Sequence, residues 1–128
     1  QCLVVKQMIR EFSFPINIKI IETEREADSL AISSRNKRLT IVERQIAPII
    51  YQTLQWAAGQ LFILILSEIK IKVAQTINNA GLKLEYVDLV DSNSGKLADA
   101  IHPNQQYAIC IAAILGEVRL IDNLIVNT

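Results

Sequence analysis

The chain has 128 residues, of which 51% are hydrophobic and 20% are charged, and its 13 basic and 13 acidic side chains leave a formal net charge of zero at pH 7. This composition is not that of a disordered chain, and it predicts one ordinary soluble globular unit. A neutral chain creates no long-range field that would attract nucleic acid or an anionic membrane, so we expect neither as a partner. The longest apolar run, Leu61 to Leu66, is far shorter than the roughly 20 residues that cross a bilayer, and we expect a cytoplasmic protein.

The first predicted elements are a helix over residues 2 to 12 and a strand at Asn17 to Ile21. Apolar side chains recur at helical spacing in the first segment and alternate with polar ones in the second. Because no strand precedes this pair, we interpret it as the tail of an α/β unit whose earlier part is absent. The sequence is accordingly expected to be a fragment.

A polar cluster follows at Ser33, Ser34, Arg35 and Asn36, directly after three apolar residues. Two adjacent hydroxyls and a guanidinium fork are donors that suit phosphate oxygens, and they predict a loop that binds phosphate. The alternative interpretation is that the serines cap a turn while Arg35 and Asn36 are simply solvated.

The spacing of Thr40 and Glu43 predicts a capping box and hence the start of a second helix. Its apolar stripe continues almost to Gly59, a plausible stop, and Pro48 should kink the helix or split it because proline removes a backbone hydrogen bond. Residues 61 to 81 show both an alternating and a helical pattern. Their length and their Asn-Ala-Gly ending favour a helix.

Strand patterns occupy the rest of the chain. From Leu82 the period becomes two, and a change of phase after Tyr86 predicts a β-bulge. Two further runs, residues 107 to 114 and 118 to 126, are joined through Gly116 and predict a hairpin. Helices followed by a small antiparallel sheet are an α+β arrangement.

Several single residues receive structural interpretations. Cys2 and Cys110 lie far apart on apolar segments without CxxC spacing, so we predict buried free thiols. His102 lies in a His-Pro-Asn turn and is predicted to be solvated. Without a Cys/His constellation, the sequence predicts no metal-ligating residue. Tyr51 and Trp56 are interpreted as core or interface side chains.

Two sets of charged residues are expected to form ion pairs. Arg25 and Asp28 could pair and fix the segment that leads into the serines. Arg119, Asp122 and Asn123 are expected to hold the C-terminal hairpin through an ion pair and a turn amide.

The polar cluster belongs to a longer pattern. It lies within R-E-A-D-S-L-A-I-S-S-R-N-K-R-L-T, residues 25 to 40, and G-E-V-R-L-I-D-N follows at residues 116 to 123. With Ala47-Pro48, Leu54, Gly81 and the run from Tyr86 to Asp91, this combination closely resembles the pantothenate synthetases, the pantoate:β-alanine ligases. The resemblance covers the whole chain without large gaps.

The resemblance implies a division of the chain. Residues 1 to 24 would be the C-terminal end of a truncated Rossmann-like nucleotide-binding domain, with its last helix and strand. Residues 25 to 39 would form an ATP-binding hinge loop with the SSRN motif. Residues 40 to 128 would form a C-terminal α+β lid domain of helices packed on a small antiparallel sheet.

The resemblance also implies the chemistry and its residues. The family condenses pantoate with β-alanine through a pantoyl adenylate, in the biosynthesis of pantothenate and coenzyme A, and uses ATP and Mg2+. The full-length protein is expected to be a homodimer. By resemblance, Ser33, Ser34 and Arg35 contact the triphosphate and support catalysis, Ile32 and Glu24 lie beside the nucleotide, and Gln1 binds pantoate.

Two positions depart from the family pattern. Glu24 stands where the family usually has valine, and its side chain cannot pack against adenine as valine does. Ser29 replaces the glycine of D-G-L-A, which matters if this position needs a positive φ, because a non-glycine residue there costs about 1 kcal/mol or more.

Other classes of function remain open at the level of sequence. The chain could be a small α+β module whose apolar helix docks a protein partner, or part of another synthetase-like nucleotidyltransferase that activates a different acid. Under the ligase interpretation, the contacts that precede Gln1 are missing, and we expect the fragment to be inactive alone.

Overall fold

A computed structural model of the chain describes residues 2–128. In these residues it contains four α-helices, a 3-10 helix that we call the 3-10 turn, and three strands. Their bounds are α1 Cys2–Glu11, the 3-10 turn Ser34–Arg38, α2 Ile41–Ile46, α3 Ile49–Gln60, α4 Leu66–Asn79, β1 Lys83–Asp91, β2 Gln106–Leu115 and β3 Val118–Asn127.

The N-terminal helix is confirmed, but the strand predicted at Asn17 to Ile21 is wrong. Residues 16–24 have no regular secondary structure. A strand needs a neighbour to accept and donate its ladder hydrogen bonds, and no strand within residues 2–128 pairs with this segment. None of the residues of α1 is buried, so Cys2 is exposed and its predicted burial is also wrong.

The second predicted helix is split at Pro48 into α2 and α3. The capping box is confirmed, because the Glu43 N–H donates to Thr40 Oγ1 at 3.2 Å and the Thr40 N–H donates to Glu43 Oε2 at 2.7 Å. Gly59 does not end α3. The chain keeps a right-handed helical conformation as far as Leu61, with φ −56° and ψ −25°, so the glycine lies inside the last turn.

The ambiguous segment 61 to 81 contains a helix, as predicted, although α4 begins only at Leu66. Its C-terminus is a Schellman motif: the Leu82 N–H donates to the Ile77 carbonyl at 3.2 Å and the Gly81 N–H to the Asn78 carbonyl at 3.0 Å. Gly81 has φ +88°, which explains why glycine follows this helix.

The three strands form an antiparallel sheet in the order β1-β2-β3. The predicted bulge exists, but the pairing of β1 with β2 shifts between Leu84 and Tyr86, slightly earlier than predicted. The hairpin of β2 and β3 is confirmed, with Gly116 and Glu117 between the paired residues Leu115 and Val118.

The core lies between one face of this sheet and helices α3 and α4, which confirms the α+β fold class. Apolar residues of both layers interdigitate there, including Ile50, Leu54, Ile69, Val73, Ile77, Leu89, Tyr107, Ile111 and Val118. Cys110 on β2 is a half-buried free thiol, and burial raises its pKa. His102 is exposed, as predicted. Among residues 2–128, no helix has the length and apolar character needed to cross a membrane.

Gly116 and Gly59 allow a matched test of the hairpin. An added Cβ at Gly116 (φ +55°) would collide with the Glu43 carboxylate, whereas a Cβ at Gly59 meets nothing within 4 Å. We expect Gly116→Ala to lower the free energy of unfolding by about 1–3 kcal/mol, from the unfavourable φ and the disturbed capping box. Gly59→Ala should raise it by about 0.5–1 kcal/mol. Urea unfolding followed by circular dichroism checks both, and equal effects of the two methyl groups would contradict this account.

Candidate functional site

A short hairpin at residues 24–32, which we call the arm, leads into the polar cluster. The Ile32 N–H donates to the Glu24 carbonyl at 3.0 Å, the Glu26 N–H to the Leu30 carbonyl at 2.9 Å and the Ser29 N–H to the Glu26 carbonyl at 2.8 Å. The first of these bonds makes Glu24 and Ile32 direct backbone neighbours. Leu30 is buried in the core, which fixes the tip of the arm to the rest of the fold.

Ser29 closes the turn of the arm in a left-handed conformation, with φ +74°. A residue with positive φ commonly follows a tight turn in a hairpin, because it completes the reversal of the chain. The position therefore favours glycine, which is the condition under which the sequence analysis expected the serine at this position to matter.

The polar cluster forms the start of the 3-10 turn. Ser33 is its N-cap in an extended conformation, and Ser33 Oγ accepts a hydrogen bond from the Arg35 N–H at 3.2 Å. This is the capping role that the alternative interpretation predicted. It leaves the hydroxyl hydrogen of Ser33 available to donate to another group. Ser33, Ser34 and Arg35 are all exposed, so their donors face solvent.

Asn36 is not solvated as the alternative interpretation predicted, because its side chain is turned inward and only 8% of the residue is exposed. Its Nδ2 donates to the Ala31 carbonyl at 2.9 Å and to Glu26 Oε1 at 3.4 Å. One amide therefore joins the 3-10 turn to both strands of the arm. The sequence signal was present, since asparagine readily bonds nearby backbone groups, but its partners were not predicted.

Arg25 connects the arm to the C-terminal sheet, and its predicted pair with Asp28 is wrong. Its guanidinium binds both carboxylate oxygens of Asp122 on β3, at 2.7 and 2.9 Å, and also donates to the Ser29 carbonyl at 3.1 Å. The same group lies 3.6 Å from the centroid of the Tyr51 ring on α3. The hydrogen bond to Asp122 raises the pKa of Arg25, and burial opposes this effect.

Asp28 instead pairs with Arg44 of α2, which also binds Glu26 at 2.9 Å. The hydrogen bond from Arg44 holds the pKa of Asp28 below its ordinary value of 3.8. A second arginine therefore holds the turn of the arm from the solvent side.

The ion pair expected between Arg119 and Asp122 is also wrong. Residues three apart on a strand point to opposite faces, so Arg119 pairs across the outer face with Glu85 at 2.6 Å while Asp122 points inward. Asn123 lies within β3, and its amide holds no turn.

The arm and the 3-10 turn with its N-cap together carry the five residues that the resemblance assigns to the nucleotide, which are Glu24, Ile32, Ser33, Ser34 and Arg35. Glu24 and Ile32 are backbone neighbours, and the remaining three follow Ile32 directly in the chain. Gln1, the predicted pantoate contact, lies outside the described residues.

The two aromatic residues of α3 lie in different surroundings. Tyr51 lies under Arg25, and the partly exposed Trp56 borders a surface cavity of about 220 Å³ between α3 and α4.

Solved structures share this fold. Pantothenate synthetase from Thermus thermophilus superposes with a TM-score of 0.83 at 27% identity, over 98% of this chain and 46% of that chain. Pantoate-beta-alanine ligase from Francisella tularensis, described as complexed with beta-gamma ATP and beta-alanine, superposes with a TM-score of 0.62 at 31% identity, over 97% of this chain and 39% of that chain.

The sequence comparisons agree with the structural ones. Pantothenate synthetase of Shewanella piezotolerans is 40% identical over 128 residues, and that of Psychrobacter sp. is 37% identical over 134 residues. The matches cover 99% of this chain but only 45% and 46% of those proteins. The model of the pantoate-beta-alanine ligase family matches residues 1–125, and the chain belongs to this family.

The backbone at Ser29 generates a stability prediction. Glycine at φ +74° removes the unfavourable contact of a Cβ in the left-handed region, so Ser29→Gly should raise the free energy of unfolding by about 0.5–1 kcal/mol. Ser67→Gly is the control, because Ser67 is an exposed residue of helix α4 without positive φ, and glycine within a helix lowers stability. Urea unfolding measures both, and a loss of stability in Ser29→Gly would contradict the strain.

The Asp28–Arg44 pair generates a pH prediction. Because the folded-state pKa of Asp28 is lowered, the pair contributes stability above the ordinary pKa and loses it as the pH falls through the folded-state value. Asp28→Asn should therefore lower the urea midpoint at pH 7, and its difference from the unchanged chain should disappear in acid, below pH 3.8. Asp99→Asn is the control, since Asp99 forms no ion pair within residues 2–128. A difference that does not depend on pH would refute the pair.

Proposed function

We propose that the chain is part of an enzyme that condenses pantoate with β-alanine to pantothenate at the expense of ATP, with the arm and the 3-10 turn as its phosphate-binding element. The observation that carries this proposal is the exposed row of Ser33, Ser34 and Arg35 on a turn whose backbone is fixed by the buried Asn36. Donors held in place before the ligand arrives stabilise developing charge without the cost of reorganisation.

In the proposed reaction, the pantoate carboxylate attacks the α-phosphorus of ATP, and pyrophosphate leaves as pantoyl adenylate forms. The β-alanine amine then attacks the acyl carbon, and AMP leaves with the bonding electrons of the C–O bond while the amine loses a proton. The substrates attack one another, so the protein needs no nucleophile of its own. Arg35 and the two serine hydroxyls would neutralise the negative charge that accumulates on the departing pyrophosphate.

Family membership supports the nucleotide, because the Francisella tularensis relative is described as complexed with beta-gamma ATP and beta-alanine. We propose that Glu24 and Ile32, joined by their backbone hydrogen bond, lie beside the adenosine. At Glu24 the contact would be made by the backbone, because an exposed carboxylate does not pack against a purine as an apolar side chain does. Gln1 would contact pantoate.

Mg2+ would enter with the nucleotide. Residues 2–128 contain no cluster of three or more side chains that could hold a metal ion, so this part of the chain provides no metal cage. Mg2+ in such sites takes much of its coordination from phosphate oxygens and water. We therefore expect Arg35 to be the charged side chain with which this chain itself binds the phosphates.

The chain spans about 45% of the length of the relatives that it matches. We propose that residues 1–24 end a Rossmann-like nucleotide-binding domain, 25–39 form the hinge loop and 40–128 form the lid domain. The 128 residues would need the remainder of a family-length protein, expected to be a cytoplasmic homodimer, to complete the reaction.

The test is pantoate-dependent exchange of labelled pyrophosphate into ATP by a family-length polypeptide that contains these residues. We expect Arg35→Ala to lower the exchange rate roughly a hundredfold, as loss of one charge contact in a transition state can. Lys37→Ala is the matched control, because Lys37 is an exposed cation of the same turn and should retain the rate within about threefold.

Each other outcome identifies what is wrong. Exchange that requires a different acid would indicate another synthetase-like nucleotidyltransferase. No exchange with any acid would exclude the enzyme and favour a protein-interaction module. Full exchange in Arg35→Ala would show that the polar cluster is only a structural turn and does not bind phosphate.

A further inference from the structure

The arm is too small to hold its own shape. Its strands are joined through a single isolated bridge between Arg25 and Ala31, and a two-stranded hairpin alone is marginally stable in water. The direction in which Ser33 to Arg35 project therefore depends on contacts between the arm and the rest of the fold.

The contacts of Arg25 are the most enclosed charged contacts of the arm. The side chains of Arg25 and Asp122 are only 17% and 3% exposed, whereas the Arg44–Asp28 pair at the turn is 29% and 41% exposed. Exposed pairs contribute little because water screens them. When an enclosed carboxylate is held by two parallel hydrogen bonds from a guanidinium group, both the distance and the angle between the two groups are fixed.

We propose that Arg25 is a positioning residue for the nucleotide site, which sets the orientation of the Ser33–Arg35 turn by clamping the arm between Asp122 of β3 and the Tyr51 ring of α3. This inference rests on the proposed function. In this role Arg25 would act through the orientation of the turn and not by contacting the phosphates. Its hydrogen bond to the Ser29 carbonyl extends the clamp across both strands of the arm.

Arginine meets three requirements at this position that lysine cannot meet together. Its planar fork binds both oxygens of Asp122, a further N–H remains for the Ser29 carbonyl, and its flat face lies on the Tyr51 ring. A lysine retains the charge but has one compact ammonium group and no flat face. Arg25→Lys should therefore keep Asp122 neutralised while loosening the arm.

The experiment is a double-mutant cycle on the dissociation constant for ATP, measured by calorimetry in the family-length polypeptide. Arg25→Lys should weaken ATP binding about tenfold when Arg35 is present and less than about twofold when it has been replaced by alanine, because the clamp acts through that side chain. The control is Arg119→Lys, which alters an exposed pair on the outer face of the same strand and should leave ATP affinity unchanged.

Three results would overturn the inference: no weakening in a folded Arg25→Lys protein, an equal weakening with and without Arg35, or an equal loss in Arg119→Lys. If Arg25→Lys does not fold, Tyr51→Leu tests the same clamp with the ion pair intact, and it should weaken ATP binding by a smaller factor that again requires Arg35. Unchanged affinity in that variant would refute the clamp.

Failure of the proposed function would give results that differ from those of a failed clamp. If the unaltered protein binds no ATP, both the function and the clamp are wrong. If it binds ATP and shows the Arg35-dependent effect but no pantoate-dependent exchange, the acid substrate is wrong and the clamp stands.

Discussion

The ion pair between Arg25 and Asp122 is the contact on which the arrangement of the arm depends. It joins residues 97 positions apart and ties a short hairpin to the last strand of the sheet. A carboxylate that is only 3% exposed is unfavourable unless it is paired. Among the described residues, the cation that neutralises it comes from the arm. The sheet and the arm therefore stabilise each other, and the path of the chain into the 3-10 turn is set by that mutual dependence.

The rest of the arm is arranged around this contact. Leu30 inserts into the core, and the buried Asn36 amide bonds the Ala31 carbonyl, so the inner side of the arm is fixed by packing and hydrogen bonding. The 3-10 turn that follows the arm carries the exposed serine and arginine donors. Ser33 can cap the turn and bind a ligand at the same time. Its hydroxyl oxygen accepts the capping hydrogen bond from the Arg35 N–H, while its hydroxyl hydrogen remains available to donate to a ligand. The capping and phosphate-binding interpretations of the cluster therefore do not exclude each other.

Sequence reasoning succeeded where both partners of an interaction are close in the chain. The capping box of Thr40 and Glu43, the C-cap of α4 at Gly81 and the Gly116 hairpin were all predicted. It failed where the partner is distant in the chain, or where residues 2–128 contain no partner. The segment Asn17 to Ile21 has the alternation of a strand, but no strand within residues 2–128 pairs with it. Arg25 was assigned to nearby Asp28, because the sequence does not reveal which carboxylate approaches in space.

The sequence by itself determined the order of α1 to α4 and β1 to β3, the caps at Thr40 and Gly81, the hairpin turn at Gly116, and the family pattern around the polar cluster. These features rest on hydrogen bonds between residues a few positions apart and on the periods of helix and strand. Only the tertiary structure decided that Arg25 binds Asp122, that Arg44 takes Asp28 and that Asn36 turns inward. Such contacts depend on how α2, α3 and β3 pack around one core, and many residues set that packing together, so no short stretch of sequence encodes it.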